Sequence, residues 1–130
     1  MYPYAATKKT LQLDWSPWHP YNEAEVKKYA PYASGVYVLA VELTDGKNVR
    51  VFYGGQTDDL DRRLKEHLAA SEKNACIKGK LSGYVCHFRY AKVETQSDRN
   101  KAERALYRKF TPSCNDPSAI PDVEDVEINF

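Results

Sequence analysis

A β-hairpin in the first half of the chain constrains the possible folds more than any other feature. Residues 36–43 (VYVLAVEL) form a β-branched and aromatic run, and residues 49–53 (VRVFY) alternate apolar and other side chains. The Asp45-Gly46 pair between them favours the backbone conformations of a tight hairpin turn. Gly54-Gly55 is expected to end the second strand. The sequence therefore predicts an antiparallel sheet at the core.

A short helix precedes the hairpin and a longer one follows it. Asn22 with Glu25 three residues later has the form of a capping box, which predicts a short helix to about Ala30. After the hairpin, Thr57 or Asp58 can cap a second helix. Its apolar residues fall at i, i+4 and i+8 and give it one buried stripe: Leu60, Leu64 and Leu68.

The rest of the core is predicted from residues 72 onward. A lysine-containing connector at residues 72–80 has room for another short helix. Residues 84–93 (YVCHFRYAKV) alternate as a third strand, and residues 97–110 form a strong helix that Thr111-Pro112 ends. The chain is thus expected to be α+β, with a small three-stranded antiparallel sheet flanked by helices.

Length and composition indicate one soluble domain. The 130 residues are 42% hydrophobic and 28% charged, which suits a single core and excludes wholesale disorder. No apolar run approaches the roughly 20 residues of a membrane helix, and the N-terminal MYPYAATKK has no apolar signal region, so we expect a cytoplasmic protein. The expected parts are an aromatic arm with a short helix packed on the core (1–34), the domain proper (35–115) and an acidic tail (116–130).

Cysteines and histidines are scattered along the sequence. Cys76, Cys86 and Cys114 are odd in number and form no C-x-x-C pair, so buried free thiols are expected rather than a disulfide framework or a zinc site. The three histidines are equally dispersed. Any metal is therefore expected to be a hard cation held by carboxylate oxygen.

Charge is unevenly distributed although the net value is only +1. Residues 71–111 carry ten positive and four negative side chains, and residues 112–130 carry five negative and none positive. The basic stretch is either a solvated helix surface or a face that binds a polyanion. The acidic tail is either ordinary structure or a cover for that basic surface that lowers affinity for nucleic acid.

Three features are hard to explain by folding alone. Glu103 lies within or beside the apolar stripe of the last helix, where its charge needs a partner, either an arginine or a reactive site. Arg63 and His67 lie one helical turn apart and can point into one cleft, or be solvated. Tyr37 and Tyr53 lie on opposite faces of the hairpin if its loop is the two residues Asp45 and Gly46, and on one face if the loop has an odd number of residues. A functional pair of tyrosines therefore requires a bulged or three-residue turn.

These residues resemble the GIY-YIG nuclease superfamily in order and approximate spacing, over residues 35–115. The matching positions are Gly35-Val36-Tyr37, Tyr53-Gly54-Gly55-Gln56-Thr57, Leu60 with Arg63 in the pattern G-x-T-x-x-L-x-x-R, His67, Glu103 and Asn115.

The resemblance implies a metal-dependent endonuclease that hydrolyses phosphodiester bonds of DNA with one divalent cation, Mg²⁺ or Mn²⁺. It makes Glu103 the metal ligand, Tyr37 or Tyr53 the proton acceptor, Arg63 the group that stabilises phosphate charge and His67 an aid to proton transfer. Gly35, Gly55 and Asn115 would support the site. The substrate-binding residues are unknown.

Two alternatives stay open. One is a nucleic-acid-binding or adaptor domain of the same fold that cleaves nothing without a partner. The other is a purely structural domain in which Glu103 pairs with Arg63. Because no separate recognition module accompanies the domain, affinity for nucleic acid would come from residues 71–111 and the aromatic residues 15–21, from a homodimer, or from an accessory recognition protein.

Overall fold

The computed structural model describes residues 9–130, so the prediction about the N-terminal MYPYAATKK lies almost wholly outside the described residues. Within this range, no helix is both long and apolar enough to cross a membrane. The elements in chain order are β1 (Thr10–Leu11), β2 (His19–Pro20), α1 (Glu23–Tyr29), β3 (Gly35–Glu42), β4 (Val49–Thr57), α2 (Leu60–Leu68), α3 (Ala75–Gly83), β5 (Cys86–Lys92), α4 (Gln96–Phe110), a 3₁₀ turn (Pro117–Ala119) and β6 (Glu127–Ile128).

The main sheet has four strands in the order β2-β5-β3-β4, and each neighbouring pair is antiparallel. The α+β class is confirmed, and the three predicted strands form β4, β3 and β5. The fourth strand, β2, is a two-residue piece of the arm in which His19 pairs with Phe88. A strand this short has no periodicity to read, and for that reason the sequence predicted only three.

The hairpin forms as predicted at its turn and differs at its far end. Gly46 adopts a left-handed backbone with φ +69°, and the Asp45 Oδ1 accepts the backbone N–H groups of Lys47 and Asn48. The second strand does not end at Gly54-Gly55 but continues to Thr57. Glycine is needed inside this strand because a Cβ at Gly55 would lie 2.6 Å from the Tyr37 hydroxyl oxygen.

Helices cover both faces of the sheet. On one face, Leu60 and Leu64 of α2 and Ile77 of α3 cluster with sheet side chains that include Tyr37, Leu39, Phe52 and Phe88. On the other face, Ala102 and Leu106 of α4 cluster with the sheet residues Val36, Val38 and Ala40. Leu60 and Leu64 of the predicted α2 stripe are buried and Leu68 is partly exposed, because their helical spacing turns this stripe toward the sheet. The buried residues of α2 also include Asp61 and His67.

Helix capping follows the sequence closely. The Asn22 side chain accepts the Glu25 backbone N–H at the start of α1, as the capping box predicts. The cap of α2 is Asp59, one or two residues beyond the predicted Thr57 or Asp58, and it accepts the Arg62 backbone N–H. The Thr57 hydroxyl instead accepts the Asp59 N–H, which fixes the turn from strand to helix.

The aromatic arm and the acidic tail pack together over α4. The rings of Trp15 and Trp18 both contact Phe130, and the Trp15 indole donates to the Asn129 carbonyl. The Arg89 guanidinium lies against these rings. The arm therefore covers the core, and its two tryptophans are partly exposed on the outer side of this packing.

Tail carboxylates do lie on the basic surface of α4. Asp125 forms ion pairs with Arg104 and Arg108, and Glu124 lies 3.2 Å from the Lys101 ammonium. The tail backbone is also part of the fold, because β6 pairs in parallel with β1. Lys101, Arg104 and Arg108 are therefore paired with the tail, although Arg108 stays exposed. A deletion of the tail would remove structure together with charge.

Cys76 and Cys114 form a disulfide across 38 residues, and only Cys86 is a free, buried thiol. The expectation of three free thiols is wrong for this pair. The packing of α3 beside the segment that follows α4 brings the two sulfurs together, and the Asn74 side chain also donates to the Cys114 carbonyl. No local spacing of cysteines could reveal this contact.

Reduction of the disulfide should lower the free energy of unfolding by about 4 kcal/mol, because a closed loop of this length restricts the unfolded chain. The measurement is urea unfolding with and without reductant. The paired substitutions Cys76→Ser and Cys114→Ser provide the control, since reductant should not affect that variant. Equal stability of the wild-type protein under both conditions would show that the cysteines are not linked in solution.

Candidate active site

A β-bulge places the two hairpin tyrosines on one face. The pairing register runs from Tyr37 opposite Gly55 to Leu39 opposite Tyr53 and then shifts, so that Ala40 lies opposite Val51. The extra residue turns Tyr53 toward the face that α2 covers, where its ring centroid lies 6.1 Å from that of Tyr37. The odd offset that the sequence requires is confirmed, but it comes from a bulge within the strands and not from the turn.

His67 reaches this pair from the last turn of α2. Its Nε2 lies 2.7 Å from the Tyr37 hydroxyl oxygen, and its ring packs edge-on against Tyr53. Both Tyr37 and His67 are 1% exposed. On the far side of the imidazole, Nδ1 lies 2.8 Å from a carboxylate oxygen of Glu72. The three side chains form one buried hydrogen-bonded chain.

Arg63 belongs to the same cluster, one helical turn before His67. Its guanidinium is partly exposed and pairs with Glu66 at 3.1 Å. Its positive charge acts to lower the pKa values of Tyr37, Tyr53 and His67, although burial is the larger influence on each. The sequence hypothesis that Arg63 and His67 lie along one cleft is thus consistent with the structure.

Burial dominates the acidity of the tyrosines. It raises the pKa of Tyr37 well above 10 and also raises the pKa of Tyr53. Arg63 opposes this shift without overcoming it. Both hydroxyls are therefore protonated at neutral pH, and the Tyr37 hydroxyl shares a hydrogen bond with His67 Nε2.

Glu103 projects from α4 at the edge of the sheet, beside β4. The Gln56 side chain donates to its Oε1 at 3.0 Å and also donates to Asn100. Burial raises the pKa of Glu103, against the hydrogen bond from Gln56. Within residues 9–130, no lysine, arginine or histidine lies within ion-pair distance of this carboxylate, and Arg63 pairs with Glu66 instead. The reading that Glu103 pairs with Arg63 is wrong.

A half-buried carboxylate without a cation suits a hard metal ion. Among the described residues, no group of three His, Cys, Asp or Glu side chains is placed to enclose a metal. Magnesium commonly keeps several waters and binds through one or two carboxylates plus substrate phosphate, so one protein ligand is compatible with it. The donor set around Glu103 therefore fits such an ion.

Comparison with solved structures identifies the fold. Several forms of the GIY-YIG N-terminal endonuclease domain of UvrC from Thermotoga maritima align with the chain. A point mutant bound to its catalytic divalent cation aligns with a TM-score of 0.53 and 19% identity over 70% of this chain and 94% of that one. The form bound to magnesium gives 0.52 and 20%, over 70% and 96%. This chain has the GIY-YIG fold. No protein-family model and no curated protein matches it.

Within the GIY-YIG fold, three supporting positions have evident steric or hydrogen-bonding roles. A Cβ at Gly35 would lie 2.2 Å from the Ala91 carbonyl oxygen, so only glycine fits there, as at Gly55. The Asn115 side chain accepts the Gly54 backbone N–H at 2.9 Å and donates to the Gly54 carbonyl at 2.8 Å. These two hydrogen bonds satisfy the backbone N–H and carbonyl of Gly54 on the edge of β4, between Tyr53 and Gln56.

Sequence reasoning missed two polar partners in this candidate site. Gln56 lies in a recognised motif, but its hydrogen bond to Glu103 forms only because β4 continues past the glycines. This extension directs the Gln56 side chain toward α4. Glu72 lies beyond the end of α2, five residues after His67. No helical period relates these two positions, so the sequence carried no signal for their contact.

Proposed function

We propose that the protein is a metal-dependent endonuclease that hydrolyses phosphodiester bonds of DNA. The observation that carries this proposal is the desolvated Glu103 carboxylate, which accepts a hydrogen bond from Gln56 and lacks a cationic partner within the described residues. A carboxylate in this state is stabilised by a divalent ion. The GIY-YIG fold supports nucleic acid as the substrate class.

In this proposal Glu103 holds the cation, Mg²⁺ or Mn²⁺. When bound, the ion supplies positive charge to the phosphate and to the leaving oxygen. The Arg63 guanidinium pairs with phosphate oxygens and stabilises the charge that develops in the transition state. Gln56 orients the Glu103 carboxylate. Asn115 holds β4 in place through its hydrogen bonds to Gly54.

The tyrosines and His67 remove the proton from the attacking water. Tyr37 is buried and already hydrogen-bonded to His67, whereas Tyr53 is partly exposed beside it. A proton taken from water by the tyrosine pair displaces the Tyr37 hydroxyl proton onto His67 Nε2. The hydroxide attacks phosphorus, the bond from phosphorus to the leaving oxygen breaks, and the leaving alkoxide takes a proton from solvent water. His67 thus holds the proton until product leaves.

Cleavage of supercoiled plasmid tests the proposal. We expect nicking or linearisation with Mg²⁺ or Mn²⁺ and none with EDTA. As a second readout, thermal unfolding should shift to higher temperature with either metal, because an ion that binds only the folded state stabilises it. Binding of DNA without metal-dependent turnover of duplex, branched or single-stranded substrates would favour the non-cleaving adaptor and overturn the endonuclease.

Affinity for DNA is proposed to come from the basic residues of the 71–111 stretch that the tail leaves uncovered, or from an accessory protein or a second copy of the chain. The aromatic residues 15–21 of the arm, whose tryptophans are partly exposed, are proposed to contribute to this affinity. Cytoplasmic location stays a prediction. Because disulfides are typical of oxidising compartments, the redox state of Cys76 and Cys114 in the native cell tests it.

A further inference from the structure

Glu72 forms the end of the buried chain that begins at Tyr37. Its side chain is 7% exposed, and its Oε2 contacts His67 Nδ1. Its other oxygen, Oε1, accepts the Asn74 backbone N–H at 2.9 Å. Asn74 caps α3, so the carboxylate is held from both sides by secondary structure. Both carboxylate oxygens are therefore committed, each to a different donor.

The protonation states of the chain follow from these contacts. Burial acts to raise the pKa of Glu72, but the Asn74 N–H and the His67 ring hold it below its usual value, so the carboxylate is ionised. Burial and the Arg63 charge lower the pKa of His67, so its ring is neutral at pH 7. An ionised carboxylate can only accept a hydrogen bond. The single imidazole proton therefore lies on Nδ1, and Nε2 accepts the Tyr37 hydroxyl.

We propose that Glu72 is a positioning residue that fixes His67 in the Nδ1–H tautomer and so keeps Nε2 free to receive the Tyr37 proton. This role rests on the proposed nuclease function. Glu72 also stabilises the imidazolium that forms when His67 takes that proton, as an orienting carboxylate does beside other catalytic histidines. It does not touch substrate, and it acts only through His67.

The substitution Glu72→Gln tests the tautomer directly. The backbone N–H of Asn74 continues to donate to the side-chain carbonyl oxygen of the new glutamine. Its NH₂ group therefore turns toward His67 Nδ1. Nδ1 must then accept a hydrogen bond from the amide, so the imidazole proton moves to Nε2. There it points at the Tyr37 hydroxyl, and Nε2 can no longer accept the Tyr37 proton. Nitrogen NMR of the imidazole side chains should show Nδ1 protonated in the wild-type protein and Nε2 protonated in the variant, without metal or substrate.

A second glutamate–histidine pair provides the matched control. The Glu42 Oε1 lies 3.3 Å from His87 Nε2, and this pair is more exposed than the first. Glu42→Gln makes the same chemical change away from the tyrosine cluster. It should leave the His67 signals and the cleavage rate unchanged.

Kinetics separate positioning from a merely structural role. Glu72→Gln should lower kcat roughly 100-fold with little change in KM, since the wrong tautomer of a catalytic histidine is costly to the chemical step. The charged or titratable groups near the ring include Arg63 and Glu66 on α2, Tyr37 on β3, Tyr53 on β4, Tyr21 before α1, Lys78 on α3 and Glu72 itself. Glu72 and Glu66 both raise the His67 pKa, so loss of the Glu72 charge should move the acidic limb of the kcat profile to lower pH.

The outcomes for the two proposals are distinct. Nε2 protonation of His67 in the wild-type protein, or Nδ1 protonation and wild-type kcat in Glu72→Gln, overturns the role of Glu72. The wild-type spectrum decides this even if the variant does not fold. A protein that shows both expected tautomers but cleaves no nucleic acid with any metal supports the positioning and overturns the nuclease.

Discussion

Glu103→Gln should reduce metal-dependent cleavage by roughly 10³-fold, because it removes the one carboxylate available to the cation. The glutamine oxygen can still accept the hydrogen bond from Gln56, so the local structure should persist. Thermal unfolding should confirm this and should no longer respond to Mg²⁺ or Mn²⁺. The loss of both activity and metal response, in a folded protein, would identify Glu103 as the metal ligand.

The same substitution should raise the free energy of unfolding at neutral pH. Burial raises the pKa of Glu103 in the folded protein. A group whose folded pKa lies above its unfolded value stabilises the fold below the unfolded pKa, and that stabilisation is lost as pH rises through the folded pKa. At pH 7 the ionised Glu103 therefore destabilises the folded protein. Replacement by a neutral amide removes this destabilisation.

Glu94→Gln is the control for this experiment. Glu94 is an exposed glutamate just before α4, and its loss changes net charge by the same amount. It should retain wild-type cleavage and the wild-type metal response. Full activity of Glu103→Gln would contradict the assignment of the metal to Glu103.

Arg63→Ala should lower kcat by roughly 10³-fold, and Arg63→Lys should recover only part of that loss. A planar guanidinium can bond two phosphate oxygens at once, whereas an ammonium offers a compact point charge. Loss of the positive charge also removes the influence that lowers the pKa values of Tyr37 and Tyr53. Single-turnover cleavage rates provide the measurement.

Arg62 is a matched control because it precedes Arg63 on the same helix. It pairs with Asp58 at 2.6 Å and is about half exposed. Arg62→Lys should leave the cleavage rate within about twofold, since exposed ion pairs contribute little. A larger effect at Arg62 than at Arg63 would show that the cleft was assigned to the wrong side of α2.

Local physical chemistry made most of the scaffold predictable. The turn at Asp45-Gly46, the Asn22 cap and the leucine stripe of α2 each depend on residues within about eight positions of one another. Their consequences for backbone and burial are fixed by helical and strand geometry. The ordered motifs added the residues Tyr37, Tyr53, Arg63, His67 and Glu103, whose catalytic roles stay predictions.

Tertiary contacts decided what local pattern could not. The Cys76–Cys114 disulfide joins positions 38 residues apart, and β2 exists only because β5 lies beside it. The partners of His67 and Glu103, namely Glu72 and Gln56, are set by how the chain returns after α2 and how far β4 extends. The sequence by itself determined the main helices, the three long strands and the reactive side chains that they carry, because those depend on neighbouring residues. Only the packed structure decided which groups share a proton or a charge, because that requires atoms distant in sequence to meet within 3 Å.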